Sequence, residues 1–333
     1  MTFDELAPLV MHWRQLSFND ALGLSRGHVA GRACDAVARA FNELGIAERV
    51  IAGENFKGLS AAEAGNPLTL FSTAFNDTVL NPSAHDRTPA AYVARWVERH
   101  DDYSDPRVLT GYIARALRAM PSFLREEALA GDLRLLLRAA GVDALVIRDP
   151  NEDYSNHTDI LVKVSSRTYR IWTFVFSEQS FNRTAMKLTG RLPAGIHVLC
   201  PLELEQFGRI ETTYLSIEKR RKALATLEYA LESTADGRAR RGLVKRIQGR
   251  QATLSALAAR HDSLKLEFAD RVRFISGFFF YPVSTSQHLA TLVASPGFSI
   301  DRHDVPRAKV FDLLGYLRRL NAFEVDHTDA ASS

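Results

Sequence analysis

The chain has 333 residues, of which 46% are hydrophobic and 24% charged, and this composition is ordinary for a globular protein and excludes an intrinsically disordered one. That length allows two domains, or one core with large insertions. The formal net charge is only +3, and no run of about 18 apolar residues offers a membrane span.

The N-terminal sequence MTFDELAPLVMHW begins with acids and lacks a basic region ahead of an apolar stretch. A secretory signal begins with such a basic region, so none is predicted and the cytoplasm is the expected location. The two cysteines, Cys34 and Cys200, lie far apart and show no metal-ligand spacing. Both are predicted to be buried free thiols.

Residues 1–121 are predicted to form a helical N-terminal domain. One helix is predicted over residues 25–45, from a serine that can cap its start to a glycine that suits its end. Another begins at Pro89, where a proline loses no hydrogen bond, and a third covers residues 105–120. Residues 53–82 are rich in glycine, asparagine and proline, which predicts loop with short helical pieces.

Residues 122–204 are predicted to form an α/β core. An amphipathic helix and an apolar strand at residues 142–147 come first, followed by a polar loop. The strand TDILVKV, which contains Asp159, then joins the strand TYRIWTFVF through a tight turn. A polar helical segment and the strand GIHVLCPLEL complete the core. The predicted fold class is therefore α/β with a central mixed sheet.

Residues 205–270 are predicted to form a long helical hairpin. From Leu243 to Phe268, seam positions recur at alternating steps of four and three, which is the spacing of a coiled-coil helix, and only Arg250 and His261 interrupt its apolar character. The sequence at residues 233–237 is typical of a turn. An antiparallel pair of helices, inserted into the chain after the core, follows from these features.

The hairpin also carries the basic excess of the chain. Between residues 215 and 250, ten basic side chains stand against four acidic ones, so this segment has a net charge of +6. Such a concentration suits the phosphate backbone of DNA, and a partner protein or a second copy of the chain is the alternative; no membrane partner is expected. The candidate nucleic-acid-binding residues are Lys219, Arg220, Arg221, Lys222, Arg238, Arg240, Arg241, Lys245 and Arg246, with Arg250 at the end of the segment.

Residues 271–325 are predicted to return the chain to the sheet. The strongly apolar segment 272–283 is predicted to be a buried strand that joins the central sheet. Helices are predicted over residues 287–293 and 305–320, and the tail, residues 326–333, is predicted to be disordered.

The predicted core elements follow in the order helix, three strands, helix and strand, and Asp159 stands at the head of the second strand. This order resembles the core of the PD-(D/E)XK nuclease superfamily, which has the restriction-endonuclease-like fold. The resemblance covers about 80 residues and is carried by element order and one acid. It implies that Asp159 holds Mg²⁺ or Mn²⁺ in a metal-dependent endonuclease. Phosphodiester hydrolysis uses such a cation to activate water and to stabilise the leaving oxygen.

The acid-x-Lys pair that the family carries on its third core strand is missing or degenerate in this chain. The matching positions, residues 171–174, contain neither an acid nor a lysine. Glu178 is the candidate for the second metal ligand, and Lys163 or Lys187 is the candidate for the catalytic lysine.

Other candidates surround this position. Some cores of the family carry an acid on the first helix, for which Glu126, Glu127 and Asp132 are available, although acids in a first helical turn also complement the helix dipole. His157 could act as a ligand or base, or hydrogen-bond to the backbone of its loop.

Two functions therefore follow from the sequence. The first is an endodeoxyribonuclease of restriction or defence type with an atypical site around Asp159. The second is a catalytically inactive nuclease-like core that serves as a binding or assembly module and engages nucleic acid or a partner protein through the basic hairpin. An adaptor without a nucleic-acid role is a third alternative.

Overall fold

In the computed structural model of the protein, the described residues are 1–15, 68–98, 106–149, 158–176, 192–204, 207–275, 278–295 and 321–325, with Glu152, Ser180 and Thr184. Several predictions lie outside them: the helices over 25–45 and 305–320, the tail, and the roles of Cys34, His157, Glu178 and Lys187.

The helices of the described part are α1 (Phe3–Gln15), α2 (Leu68–Thr78), α3 (Pro89–Glu98), α4 (Pro106–Ala139), α5 (Gly208–Ser233), α6 (Gly237–Glu267) and α7 (Val283–Ala294). Pro89 opens α3 as predicted, and the Thr88 hydroxyl accepts the Ala91 N–H at 3.2 Å, which satisfies one of the free amides of the first turn. No helix within the described segments is long and apolar enough to cross a membrane.

The strands are β1 (Ala144–Ile147), β2 (Ile160–Val164), β3 (Arg167–Val175), β4 (Gly195–Leu202), β5 (Arg273–Ile275), β6 (Phe278–Phe280) and β7 (Asn321–Val325). A five-stranded sheet has the order β1-β2-β3-β4-β7. Its first three strands are antiparallel, β4 runs parallel to β3, and β7 runs antiparallel to β4. The prediction of an α/β protein with a central mixed sheet is confirmed.

The turn between β2 and β3 is as tight as predicted. It consists of Ser165 and Ser166, and Ser165 has a φ of 52°, in the left-handed region that short hairpin turns require. Gly195, at the start of β4, has a φ of 131°, and a Cβ there would lie 2.7 Å from the Thr168 carbonyl oxygen. Glycine at this position therefore lets β4 approach β3 closely.

One long helix replaces the two helices predicted on either side of residue 121. α4 runs for 34 residues and continues through Pro121. A proline inside a helix removes one backbone hydrogen bond and disfavours helix, which is why the sequence indicated a break there. α4 packs against α1, α2, α3, α7 and β1, so tertiary packing of the helix outweighs this local penalty.

The return strand was predicted wrongly. The segment after the hairpin forms β5 and β6, which pair in a separate two-stranded sheet, and the fifth strand of the central sheet is β7. β7 pairs with β4 from Gly195↔Val325 to Leu199↔Asn321. An apolar run such as FISGFFFYPV predicts burial but does not specify the sheet in which its residues pair.

The described fold divides into two compact units. Unit 1 contains residues 1–203 and 280–333, and unit 2 contains residues 204–279. In unit 1, Val146, Val162, Tyr169 and Ile196 form a buried row across neighbouring strands of the central sheet. The N-terminal helices and α7 belong to this same unit.

Unit 2 contains the helical pair α5 and α6, which pack against each other along the hairpin. The side chain of Asp236 accepts hydrogen bonds from the N–H groups of Arg238 and Ala239, so it caps the start of α6. Near the other end of the hairpin, His261 is buried between Tyr214 and Phe274, with ring centroids at 5.8 and 5.3 Å. Aromatic packing therefore fills the seam at the position where His261 interrupts it.

Candidate functional site

Asp159 connects the beginning of β2 to β3. Its backbone N–H donates to the Ile171 carbonyl oxygen at 3.2 Å. Its carboxylate oxygen Oδ2 accepts a hydrogen bond from the Thr173 backbone N–H and another from the Thr173 hydroxyl, the latter at 3.1 Å. The carboxylate thus binds a neighbouring strand through two donors of one residue.

Thr173 is the residue of β3 that meets Asp159, and it lies within the range where the resemblance placed an acid. The next residues, Phe174 and Val175, are apolar and partly buried, and Phe174 packs against the buried pair Trp172 and Leu199. β3 is described in full and offers neither a carboxylate nor an ammonium group beside Asp159.

Cys200 and Tyr281 are buried next to this pair. Cys200 on β4 is the register partner of Thr173, and the Tyr281 hydroxyl donates to the Cys200 carbonyl oxygen at 2.7 Å. Burial raises the pKa of the Cys200 thiol, and the charge of Asp159 raises it further. The free, buried state of Cys200 confirms its prediction. Burial also raises the pKa of Tyr281 well above its usual range. The Cys200 thiol and the Tyr281 hydroxyl therefore both stay protonated at neutral pH.

Glu126 on α4 also lies near Tyr281. Burial is the main cause of the raised pKa of Tyr281, and Cys200 is the next. The charges of Asp159 and Glu126 raise this pKa by smaller amounts. The pKa of the neighbouring Arg125 guanidinium is lowered by burial, and Tyr281 and Glu126 oppose that shift. The Asp159 cluster, as we name it, consists of Arg125, Glu126, Arg148, Asp159, Thr173, Cys200 and Tyr281.

Arg148, just after β1, is the charge partner of Glu126. Its Nε lies 3.4 Å from Glu126 Oε2, and its side chain is only 4% exposed. The guanidinium donates to the Ser72 hydroxyl at 3.0 Å and to Asn76 Oδ1 at 3.1 Å, and it lies 5.0 Å above the centre of the Phe123 ring. Arg148 therefore links α2 and α4 to the end of β1 through a buried charge.

The other acids of the first core helix have partners too. Glu127 pairs with the Arg134 guanidinium at 3.3 Å and with the Met1 ammonium group. Asp132 accepts the Phe3 backbone N–H at 3.0 Å. These contacts hold α1 and the middle of α4 together, so both carboxylates have structural roles.

Lys163, the candidate lysine of β2, lies far from Asp159 along the strand. It is exposed and stands in register with Leu145 on β1 and Thr168 on β3. A separation of four residues along a strand corresponds to about 13 Å. Glu178 and Lys187 lie outside the described residues.

The described residues do not fit the divalent cation that the resemblance implies. Within the described segments, no group of three or more His, Cys, Asp or Glu side chains is arranged to hold a metal ion. Asp159 Oδ2 is used by the two donors of Thr173, and Glu126 is paired with Arg148. Mg²⁺ binds several carboxylate and water oxygens at once. The carboxylates of Asp159 and Glu126 are instead occupied by protein partners.

The sequence revealed part of the Asp159 cluster. It singled out Asp159 and Glu126, and it placed residues 171–174 opposite Asp159. It gave no signal for Arg148 or Tyr281, because these residues reach the cluster from distant parts of the chain: Tyr281 follows Cys200 by 81 residues. The one indirect signal in the sequence was that Arg148 and Tyr281 each stand beside an apolar run, where a charged or hydroxylated side chain is expected to be buried with a hydrogen-bond partner.

The second candidate site is the basic segment, residues 219–250 of α5, the turn and α6. Nine of its ten basic side chains are exposed, and Arg250 is partly buried. Arg221 pairs with Glu218 at 2.8 Å while remaining 59% exposed. At a helical rise of 1.5 Å per residue, the segment occupies roughly 20 Å of the hairpin next to the turn.

The remaining part of the hairpin is close to neutral. Between Gln251 and Glu267 of α6, two basic residues, Arg260 and Lys265, are balanced by Asp262 and Glu267. Lys265 lies 3.3 Å from Asp262 Oδ1. The positive charge of unit 2 is therefore concentrated at one end of the helical pair.

Neither models of protein families, nor curated proteins, nor solved structures gave a match to the chain when compared with it.

Proposed function

We propose that the protein binds DNA through the basic segment of its helical hairpin, and that its nuclease-like core acts as a binding or assembly module without cutting DNA. The observation that carries this proposal is the cluster of nine exposed basic side chains at one end of the hairpin. Such a surface neutralises phosphates and releases their counterions, whatever the base sequence.

A DNA partner suits this surface better than a second copy of the chain. Two hairpins that met through their basic segments would bring like charges together, which is unfavourable. The four acidic residues between 215 and 250 are too few to neutralise the ten basic ones. A polyanion therefore complements the segment, and an acidic protein surface is the alternative partner.

The order of α4, β1, β2, β3 and β4 supports the nuclease-like assignment of the core. β3 and β4 are parallel, and the 19 residues between them, 176–194, meet the length of a dozen or more that a connection between parallel strands needs. Asp159 stands at the head of β2, where the resemblance expects an acid. The identity of Thr173 argues against catalysis, because a hydroxyl there replaces the carboxylate that a metal would need.

A metal-dependent endonuclease is the second candidate function. The observation in its favour is that Asp159 and Glu126, one from β2 and one from the helix before the sheet, lie close enough to Tyr281 for both charges to affect its pKa. The described residues do not complete a metal site around them.

One experiment separates these functions. The purified protein and its Asp159→Ala variant are incubated with plasmid and single-stranded DNA, in Mg²⁺, Mn²⁺ or EDTA, and binding and cutting are both followed by gel electrophoresis. We expect shifted, uncut DNA in every condition. Metal-dependent cutting that disappears in Asp159→Ala would establish the endonuclease instead. Protein that neither shifts nor cuts DNA at low salt would refute both functions.

The hairpin is tested by a matched pair of variants. Arg238→Gln/Arg241→Gln/Lys245→Gln removes three charges from the basic segment, whereas Arg209→Gln/Arg260→Gln/Arg271→Gln removes three exposed charges from elsewhere in unit 2. Each lost phosphate contact lowers the slope of log affinity against log salt by about 1. Only the first variant should show this change, and equal losses in both would show that general charge, not the segment, binds DNA.

A further inference from the structure

Two lysines of α5 face away from the seam of the hairpin. Ile217 is buried and Leu224 is partly buried on α5, whose packing partner in the hairpin is α6. Lys219 follows Ile217 by two residues, and Lys222 precedes Leu224 by two. Two residues correspond to about 200° around a helix of 3.6 residues per turn, so both lysines lie opposite the seam. Both are exposed, and together they form what we call the α5 edge.

A second group of basic residues faces away from the seam on α6. Ile247 is buried on this helix. Lys245, Arg241 and Arg238 precede it by two, six and nine residues, which places each of them within about 60° of the side opposite Ile247. All three are exposed and form the α6 edge. No acid occurs in the sequence between Gly237 and His261, so no carboxylate of α6 offsets the charge of this edge.

The two edges lie on opposite sides of the hairpin. Packed helices have axes about 8–10 Å apart and a Cα radius of about 2.3 Å, so the outward Cα atoms of α5 and α6 are about 13–15 Å apart. Their long side chains extend farther, in opposite directions. This separation exceeds the Debye length of about 8 Å at physiological ionic strength, so each edge binds phosphates independently of the other.

The edges also differ in their distance from the turn of the hairpin. The α5 edge lies roughly 17–21 Å before the end of α5, whereas the α6 edge lies within about 12 Å of the start of α6. The α5 edge belongs to the basic run 219–222, and Glu218, the acid beside it in the sequence, offsets only one of these four charges. Two positive surfaces of different position therefore exist on one hairpin.

Duplex DNA suits two such surfaces as two separate segments. A duplex carries about one negative charge per 1.7 Å of its axis, which complements an edge of several cations. It is stiff over about 150 base pairs, so bending one segment around the hairpin to reach both edges is unfavourable. We infer that the hairpin bridges two duplex segments, with one segment on each edge. This inference rests on the proposed function and names the form of its DNA partner.

The test uses the full-length protein and a labelled blunt duplex of about 20 base pairs, which is too stiff to reach both edges. Analytical ultracentrifugation with duplex in excess gives the number of chains and duplexes in each complex. Fluorescence anisotropy with protein in excess gives the affinity for the first duplex. Two variants each remove one edge: Lys219→Gln/Lys222→Gln and Arg238→Gln/Arg241→Gln/Lys245→Gln. The matched control, Arg209→Gln/Arg260→Gln, removes two exposed charges outside the basic segment.

We expect the wild type and the control to form complexes of one chain with two duplexes, and each edge variant to form complexes of one chain with one duplex. Removal of the α5 edge should lower the affinity for the first duplex by about twofold or less at physiological salt, because the α6 edge lies beyond the Debye length from the lost charges. A duplex fixed to beads should capture a second, labelled duplex through the wild type and the control, but not through either edge variant.

Wild-type complexes of one chain with one duplex, or of two chains with two duplexes, would overturn the inference and leave DNA binding intact. An edge variant that still holds two duplexes would do the same. So would an equal loss of affinity for the first duplex in the two edge variants, since one duplex would then contact both edges. If the wild type binds no duplex at low salt, the proposed function fails as well.

Discussion

Thr173 donates both its backbone N–H and its hydroxyl hydrogen to Oδ2 of Asp159. The acid that the sequence singled out thus has a structural partner on the next strand. A carboxylate that binds two donors of a neighbouring strand stabilises the pairing of β2 with β3 at this end of the strands.

The first prediction concerns this pair. Thr173→Val keeps the shape of the side chain but removes the hydroxyl donor, and it should lower the free energy of unfolding by about 1.5–3 kcal/mol, as expected for a hydrogen bond to a charged group. Thr173→Ser keeps the hydroxyl and should cost less. Urea denaturation followed by tryptophan fluorescence measures both. Equal stability of Thr173→Val and the wild type would show that the pair contributes nothing.

The second prediction concerns the buried charge of Arg148. Arg148→Met should lower the free energy of unfolding by about 3–5 kcal/mol, because it leaves Glu126 buried without its charge partner. The double variant Glu126→Gln/Arg148→Met should recover part of that loss. Arg138→Met, at the exposed end of α4, is the control and should change stability by less than about 0.5 kcal/mol. A double variant less stable than Arg148→Met would contradict the pairing.

The third prediction is a pH dependence that comes from His197. This residue is buried on β4, its Nε2–H donates to the Pro193 carbonyl oxygen at 2.8 Å, and its ring lies edge-on to Trp172. The pKa of His197 is lowered to about 4, mainly by burial and to a smaller extent by the nearby charge of Arg170, while the hydrogen bond to Pro193 opposes the shift.

Because the folded pKa is depressed, the unfolded chain binds the proton more readily. The stabilisation is therefore complete above the ordinary histidine pKa of about 6.5 and is lost as the pH falls toward about 4. Between pH 7.5 and 5, this single group should lower the free energy of unfolding by about 2 kcal/mol.

Urea denaturation at several pH values measures this effect. All three tryptophans of the chain belong to unit 1, so their fluorescence reports the unit that contains His197. His197→Gln should be less stable at pH 7.5 but should lose less stability on acidification. If the variant and the wild type have the same pH dependence, His197 is not the titrating group. Burial also lowers the pKa of His261, so unit 2 has a dependence of the same sign.

The fourth prediction concerns the reactivity of Cys200. The thiolate is the nucleophilic form, and burial raises the pKa of this thiol far above neutrality. In a Cys34→Ser variant, Cys200 should therefore react with a chromogenic disulfide reagent only after denaturation. Absorbance measured with and without guanidinium checks this. Rapid reaction of the native variant would mean that the region around Tyr281 opens readily.

Part of the candidate site followed from the residues themselves. The sequence places Asp159 at the head of the second core strand, and the structure gives its carboxylate two hydrogen bonds from Thr173. The pairing of Glu126 with Arg148 could not be predicted, since 22 positions separate the two residues and no local pattern joins them. The same limit explains the return strand: hydrophobic periodicity predicts a buried strand but not its neighbour.

The sequence by itself determined the helix before the core strands, the order of the four core strands, the helical hairpin and the concentration of positive charge near its turn. These features depend on local spacing, on capping and turn residues, and on composition, all of which are written within a few positions of each other. Only the tertiary structure decided that Thr173 meets Asp159, that β7 completes the central sheet and that Tyr281 lies beside Cys200. Those contacts join residues 14 to more than 100 positions apart, and they are selected by the packing of the whole chain, which no short stretch of sequence encodes.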